Sequence, residues 1–333
     1  MSTKPSHSHP YDQLTPDCIL DALEAEGFQP TGSLLALNSY ENRVYQIALE
    51  DEDNQASYVI AKFYRPERWS DASILEEHAF ALELTAAEIP VVAPLAINGK
   101  TLFEFKHFRY AIFPRQGGRT PELEQSETLK QLGRFLGRIH AVGSQHPFSE
   151  RPRLTVQNFG FDSLTFLLEH DFIAPEVKSN YQHAAEEALT LAVQGFEAVL
   201  PRNIRLHGDC HPGNMLWTDK GPHFVDLDDC RSGPAVQDLW MMLSGNSDEM
   251  STQFRHILEG YETFFEFDRA ELALIEPLRT LRLIHYSAWL ARRWHDPAFP
   301  QHFPWFDGPR YWEDQMITLR EQVERLHMPA LSI

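Results

Sequence analysis

The spacing of a few polar residues between Leu206 and Asp229, in LHGDCHPGNMLWTDKGPHFVDLDD, constrains this chain more than any other feature. Asp209 precedes Asn214 by five residues, and Asn214 precedes Asp226 by twelve, with apolar pieces between them that suit short strands. Ile204–Leu206 ends an apolar run, residues 207–213 read as a loop, and Met215–Trp217 and His223–Leu227 read as strands. Residues 218–221, Thr-Asp-Lys-Gly, have turn chemistry, so the strands form a hairpin that returns Asp226 to the end occupied by Asn214. An amide oxygen and a carboxylate converging there suit a hard cation, Mg²⁺, on the phosphates of ATP. Asp209 is then placed to orient an acceptor hydroxyl and receive its proton, and the whole spacing suits phosphoryl transfer from a nucleotide.

Two plainer readings of the stretch are weaker. Turn residues on a solvated acidic hairpin need no such spacing, and His207, Cys210 and His211 lie too close together for the paired ligand spacing of structural zinc. The Asp-x-x-x-x-Asn spacing followed by a strand-terminal Asp also matches the catalytic loop and metal aspartate of protein kinases. Here Gly208 stands where those have arginine, and Leu227-Asp228 follows the metal aspartate in place of Phe-Gly.

HGDCHPGN with FVDLDD resembles the phosphotransferases related to aminoglycoside and choline kinases, over most of residues 30–320. Together with LNSYENRVYQ (residues 37–46), AKFYRPERW (61–69) and GPAVQDLW (233–240), it is similar to one branch of them, the bacterial stress response kinases, which are serine/threonine protein kinases. The resemblance implies that Ser39 touches ATP, that Asp226 is the metal aspartate and that Asp238 accepts backbone N–H bonds from the catalytic loop. It also implies a link to envelope or oxidative stress. His207 and Asp228 are placed as supporting residues.

Length and composition bound the setting. A chain of 333 residues allows two lobes around a cleft. No apolar run is long enough to span a bilayer, and the start, MSTKPSHSHPYDQ, lacks a secretory pattern, so a cytoplasmic protein is expected. Three cysteines fit a reducing compartment, and Cys210 reads as a packed residue whose acidic neighbours raise its pKa. The formal charge of −19, from 29 basic and 48 acidic residues, opposes nucleic-acid and membrane binding and mildly favours cationic substrates.

Along the first lobe, Thr15-Pro16-Asp17 opens a helix that runs to about Gly27. Strands follow at 33–37, 43–48, 57–64, 91–97, 101–105 and 109–113, with an acidic turn at 50–55 and an Asn98-Gly99 hairpin signal. Lys62, near the end of the third strand, is flanked by apolar residues and so requires a partner. Its expected role is contact with the ATP phosphates, with Glu77 as partner because an inward Glu77 shares a helical face with Phe80 and Leu84; Glu76 is the alternative. The turn at 37–43 contains no glycine, and Ser39, Tyr40 and Asn42 would offer N–H groups and a hydroxyl to the phosphates. Residues 114–120 form a hinge after a first lobe of 1–113, with Phe113 and Gln116 in the strip expected to face adenine.

Residues 121–333 then form a mostly helical second lobe. A helix from Ser126 buries Leu129, Leu132, Leu136 and Ile139, and Gly133 and Gly137 allow another element close. Further helices are expected at 175–199, starting at GPAVQDLW (233–240), at 251–265 and at 269–294, the last bearing Arg279, Arg282, Arg292 and Arg293 before an aromatic, Pro-rich loop. The expected architecture is α+β: a two-lobed protein-kinase-like fold with a small antiparallel-sheet lobe, a helical lobe and ATP between them. A monomer phosphorylating protein Ser/Thr hydroxyls with Mg-ATP is the leading reading. A kinase of choline, homoserine or an aminosugar, and a nucleotide-binding pseudokinase, are the alternatives.

Overall fold

A computed structural model of the chain describes residues 9–50 and 57–333; the 50–55 turn therefore lies, apart from Glu50, outside the described residues. The chain divides into two compact units. One runs to Gly118 and takes in His295–Ala298, and the other comprises Arg119–Trp294 and Phe299–Ile333. The division falls inside the 114–120 segment, and residues 295–298, assigned by sequence to the second lobe, group with the first unit.

In the first unit α1 (Pro16–Ala25) is capped by Thr15, whose hydroxyl accepts from Cys18 N–H at 3.2 Å. The strands are β1 (Pro30–Ala36), β2 (Arg43–Leu49) and β3 (Ser57–Phe63), then, after α2 (Asp71–Ala86), β4 (Phe103–Phe105) and β5 (Phe108–Pro114). All pairs are antiparallel, in the order β1-β2-β3-β5-β4. Alternation on β3 packs Val59, Ala61 and Phe63 with Ile19 and Leu23 of α1. Lys62, central in the sheet between Val44 and Ala111, is left on the other face.

The expected strand at 91–97 does not form. Pro90 and Pro94 lack N–H donors, and this stretch makes only isolated bonds, such as Leu95 N–H to Ile112 O at 2.7 Å. The Asn98-Gly99 turn is present, with both residues at positive φ.

The second unit contains α3 (Ser126–Gly143), α4 (Asp162–Glu169), α5 (Pro175–Val199) and the short strands β6 (Ile204–Leu206), β7 (Met215–Thr218), β8 (Gly221–Phe224) and β9 (Arg231–Gly233). It continues through α6 (Ser247–Tyr261), α7 (Ile275–Arg293), α8 (Ala298–His302), of which Ala298 alone is grouped with the first unit, and α9 (Pro309–Leu326). β6 pairs with β9, and β7 with β8. Helix α6 packs on the glycine face of α3: a Cβ on Gly133 would lie 2.0 Å from Ile257 O, and one on Gly137 2.4 Å from Tyr261 O.

Three expectations need correction here. The helix expected from 269 begins as a 3₁₀ turn, Arg269–Leu274, and α7 starts at Ile275, because Pro277 fits only the first turn of an α-helix. GPAVQDLW forms short 3₁₀ turns rather than starting an α-helix. The strand expected at 223–227 stops at Phe224, since Asp226 adopts a left-handed conformation (φ 60°) and Leu227–Asp229 turns as 3₁₀. Among the described residues no helix is long and apolar enough to cross a membrane.

One buried carboxyl props up this region from α7's side. Glu271 accepts from Val236 N–H at 2.9 Å, and burial pushes its pKa up to about 7. Because the folded value lies above the unfolded one, near 4.3, its contribution is complete below that pH and is lost as pH rises through 7. Glu271→Gln keeps an acceptor without the charge. Urea midpoints between pH 5 and 8 should fall more for wild type than for this variant, by up to about 3 kcal/mol in stability.

Candidate active site

The hairpin brings the central residues together through the backbone. Met215 faces Phe224 in register, and Val225 N–H donates to Asn214 O at 3.0 Å, so Asn214 and Asp226 end at one side of the turn. Asn214 Nδ2 donates to Asp209 O at 3.0 Å, which leaves the amide oxygen directed away from that carbonyl. Asp226 is a non-glycine residue in left-handed backbone, a costly arrangement that aspartate tolerates better than most. Asn214 and Asp226 supply hard oxygen donors of the kind Mg²⁺ selects, so the residues present fit that ion. No cluster of three or more His, Cys, Asp or Glu suited to a metal occurs among the described residues, and Cys210 is fully buried, which leaves the zinc reading without support.

The loop before the hairpin is held by a buried frame. Asp238 accepts from His207 N–H and Gly208 N–H, both at 2.8 Å, and from His140 Nε2 at 3.1 Å. The other ring nitrogen of His140 meets the Tyr261 hydroxyl at 2.7 Å. His207 Nε2 donates to Val225 O at 2.9 Å, tying the loop to the residue that precedes Asp226. Gly208 has φ 86°, and a Cβ there would lie 2.2 Å from Asp229 O, so only glycine fits where protein kinases place arginine. Arg151 donates to Asp228 O and, at 2.9 Å, to Cys230 O, fixing the turn after Asp226. Asp228 is buried in that turn and does not alternate along a strand with Asp226. Burial, then the Asp238 and Asp209 carboxylates, push the Cys210 thiol pKa well up.

Sequence reasoning assigned no role to two neighbours of Asp209. Arg282 on α7 donates to Asp209 Oδ1 at 2.6 Å, and His211 Nε2 lies 3.4 Å from Oδ2. Gly213 N–H donates to His211 Nδ1 at 3.0 Å, so a neutral His211 carries its proton on Nε2, toward Asp209. Burial alone would raise the Asp209 pKa, but the His211 hydrogen bond and the Arg282 charge outweigh it and hold the carboxyl well below the usual range. Asp209 is thus ionised at neutral pH. The position of His211, two residues after Asp209, was a signal in the sequence; that of Arg282 was not.

A second group of predicted residues is assembled within the first unit. Lys62 Nζ lies 3.6 Å from Glu77 Oε1, both side chains being buried. Glu77, Phe80 and Leu84 share the buried face of α2, whereas Glu76 is half-buried. Tyr64 carries the ammonium over its ring, 5.1 Å from the centroid. Ser39 is half-buried in the β1–β2 turn, and Asn42 is buried with its Oδ1 accepting from Arg65 N–H at 3.0 Å. Phe113 sits edge-on to His78, and Gln116 donates to Gly117 O at 2.8 Å.

Comparison with known proteins shows the family and the fold. The profile of the Phosphotransferase enzyme family matches residues 33–275. Stress response kinase A of Salmonella paratyphi A is 47% identical over 323 residues, covering 97% of each chain. A Salmonella typhimurium relative named serine/threonine protein kinase RdoA is equally similar over the same extent, and the Escherichia coli stress response kinase A is 46% identical. Among solved structures, the amicoumacin kinase hAmiN in complex with AMP-PNP, Ca²⁺ and Ami shares the fold with a TM-score of 0.69 at 19% identity, covering 96% of this chain and 95% of its own. A microcompartment-associated aminopropanol kinase does so with 0.71 at 16%, covering 95% and 99%. The two-lobed kinase-like fold expected from sequence is therefore the fold of this chain, and the extent of the profile match with the identity of its relatives makes it a kinase belonging to the phosphotransferase enzyme family.

Proposed function

We propose that the chain transfers the γ-phosphoryl group of ATP, with Mg²⁺, to serine or threonine hydroxyls of proteins. In this reading Lys62, held by Glu77, and the turn at Ser39–Asn42 contact the phosphates, with Phe113 and Gln116 near the adenine. Asn214 and Asp226 hold the metal, which would neutralise charge on the phosphates. Asp209 orients the acceptor hydroxyl and takes its proton late, as suits a loose transition state in which positioning outweighs base strength. Asp238, His207 and Asp228 keep this loop and turn in place.

The observation that carries the acceptor class is the half-exposed Arg282 guanidinium on Asp209. A choline or aminosugar acceptor brings its own cation toward the catalytic carboxylate, and an arginine already paired there opposes it. A neutral Ser or Thr hydroxyl meets no such penalty. Relatives named as stress response kinases and as a serine/threonine protein kinase, similar along almost the whole chain, support the same reading and suggest a role under stress. This local positive charge runs against the attraction for cationic substrates suggested by the net charge.

ADP release measured with generic proteins and with choline, homoserine and aminosugars tests the acceptor class. Stimulation by protein alone is expected; stimulation by an amine alone would establish the small-molecule reading. A related expectation concerns Arg282→Gln, which should lower kcat about three- to tenfold with little change in KM for ATP, since one partly exposed charge-assisted bond is worth about 1 kcal/mol.

A further inference from the structure

The turn between β1 and β2 has none of the glycines that usually let a loop fold over phosphates, yet it is held at many points. Arg43 Nη1 donates to Tyr40 O at 3.1 Å, Arg65 Nε to Glu41 O at 3.0 Å, and Arg65 Nη2 to Tyr40 O at 3.4 Å. With Asn42 already on the Arg65 backbone, the Tyr40 and Glu41 carbonyls and one side chain of the turn are committed to two arginines. A carbonyl oxygen repels a polyphosphate, so turning these carbonyls onto guanidinium groups lowers the repulsion that an anion would meet at the turn.

Two guanidinium groups so close need an anion of their own. It comes from a residue distant in sequence, Asp296, in the segment that belongs to the same compact unit. Arg43 Nη2 donates to its Oδ1 and Oδ2 at 3.0 and 3.1 Å, Arg65 Nη2 donates to Oδ2 at 2.6 Å, and Ala298 N–H donates to Oδ1 at 3.1 Å. Its side chain is 3% exposed. Burial would raise its pKa, but the Arg65 bond and the Arg43 charge bring it below the usual range, so the carboxylate stays ionised. Glu41 adds a second carboxylate 3.0 Å from Arg65 Nε, and the Tyr11 ring lies 4.4 Å under the Arg43 guanidinium.

We propose that Asp296 is a positioning residue for the nucleotide, fixing the Ser39–Asn42 turn through Arg43 and Arg65 in the shape that receives the phosphates. This rests on the reading of that turn as the phosphate contact. A glycine-rich loop gains its close approach from flexibility; here rigidity imposed by a buried carboxylate and two arginines takes its place.

Titration calorimetry with ATP and with adenosine tests it. Asp296→Asn keeps the size and the Ala298 bond but removes the charge. ATP should bind about tenfold more weakly, adenosine as in wild type, with kcat at saturating ATP within about twofold, the signature of lost ground-state binding. Equal weakening of ATP and adenosine would mean a general structural role and overturn the proposal, as would unchanged ATP binding by the folded variant. Should Asp296→Asn fail to fold, Arg43→Gln makes the same test from the other side of the pair. Ser39→Asp separates the two levels of the argument, because a new charge beside the phosphates must weaken ATP. If it does not, the phosphate-turn reading fails; if it does while Asp296→Asn and Arg43→Gln leave ATP binding intact, only the role of Asp296 fails.

Discussion

Asp209→Asn is expected to lower turnover by about 10²- to 10⁴-fold while leaving ATP binding close to wild type. Asparagine has nearly the same shape, so the Asn214 bond to the backbone carbonyl of residue 209 persists, and with it the turn into the hairpin. What is lost is the carboxylate that Arg282 and His211 hold ionised, and with it the proposed acceptor for the hydroxyl proton. The side chains proposed to contact the phosphates and the metal, Lys62, Asn214 and Asp226, are unchanged in this variant. Steady-state kinetics with ATP titration separates the two effects. Loss of ATP affinity in parallel with turnover would mean that Asp209 acts on the donor side, and normal turnover would remove it from the chemistry.

Asp238→Ala is expected to cost about 3–5 kcal/mol of stability, the range for removing one partner from a buried charged network. The side chain is fully buried, and its oxygens accept from His207 N–H, Gly208 N–H and His140. Alanine leaves those donors without their acceptor in a place water does not reach. Asp238→Asn should fall between, because an amide offers a single acceptor oxygen where two N–H groups need one each. Chemical denaturation measures the stability; turnover well below the melting range measures the rest. Since Gly208 directly precedes Asp209, activity should fall in the folded fraction too, and an alanine variant as stable and active as wild type would show that the frame does not hold the loop.

How much of this was legible depends on the distance over which each feature is determined. The β7–β8 hairpin follows from local turn chemistry around Asp219 and Lys220, and α5 starts at Pro175 where the sequence places it. The α3–α6 crossing was half legible: Gly133 and Gly137 announced a close neighbour without identifying α6. The Lys62–Glu77 pair could be read because a buried ammonium needs an anion and helical period selects one.

The departures have distinct causes. Residues 91–97 carry strand-forming side chains, but Pro90 and Pro94 withhold the donors that a ladder requires. The strand expected through Leu227 gives way to the left-handed Asp226, a conformation imposed by the surrounding turn rather than by any local preference. Arg282 beside Asp209 and Asp296 between Arg43 and Arg65 join residues 73 and 253 positions apart, and no period or spacing in the sequence encodes such meetings. Helix α9, for which no separate helix was expected, reads as an amphipathic C-terminal segment once Trp312 and Leu319 are seen to be buried.

The most direct test of the proposed activity is phosphoamino-acid analysis after transfer of labelled γ-phosphate from Mg-ATP to a mixture of generic proteins. The predicted result is label recovered as phosphoserine or phosphothreonine, abolished when the divalent cation is chelated. Label confined to small molecules, or protein label that persists without the metal, would contradict it.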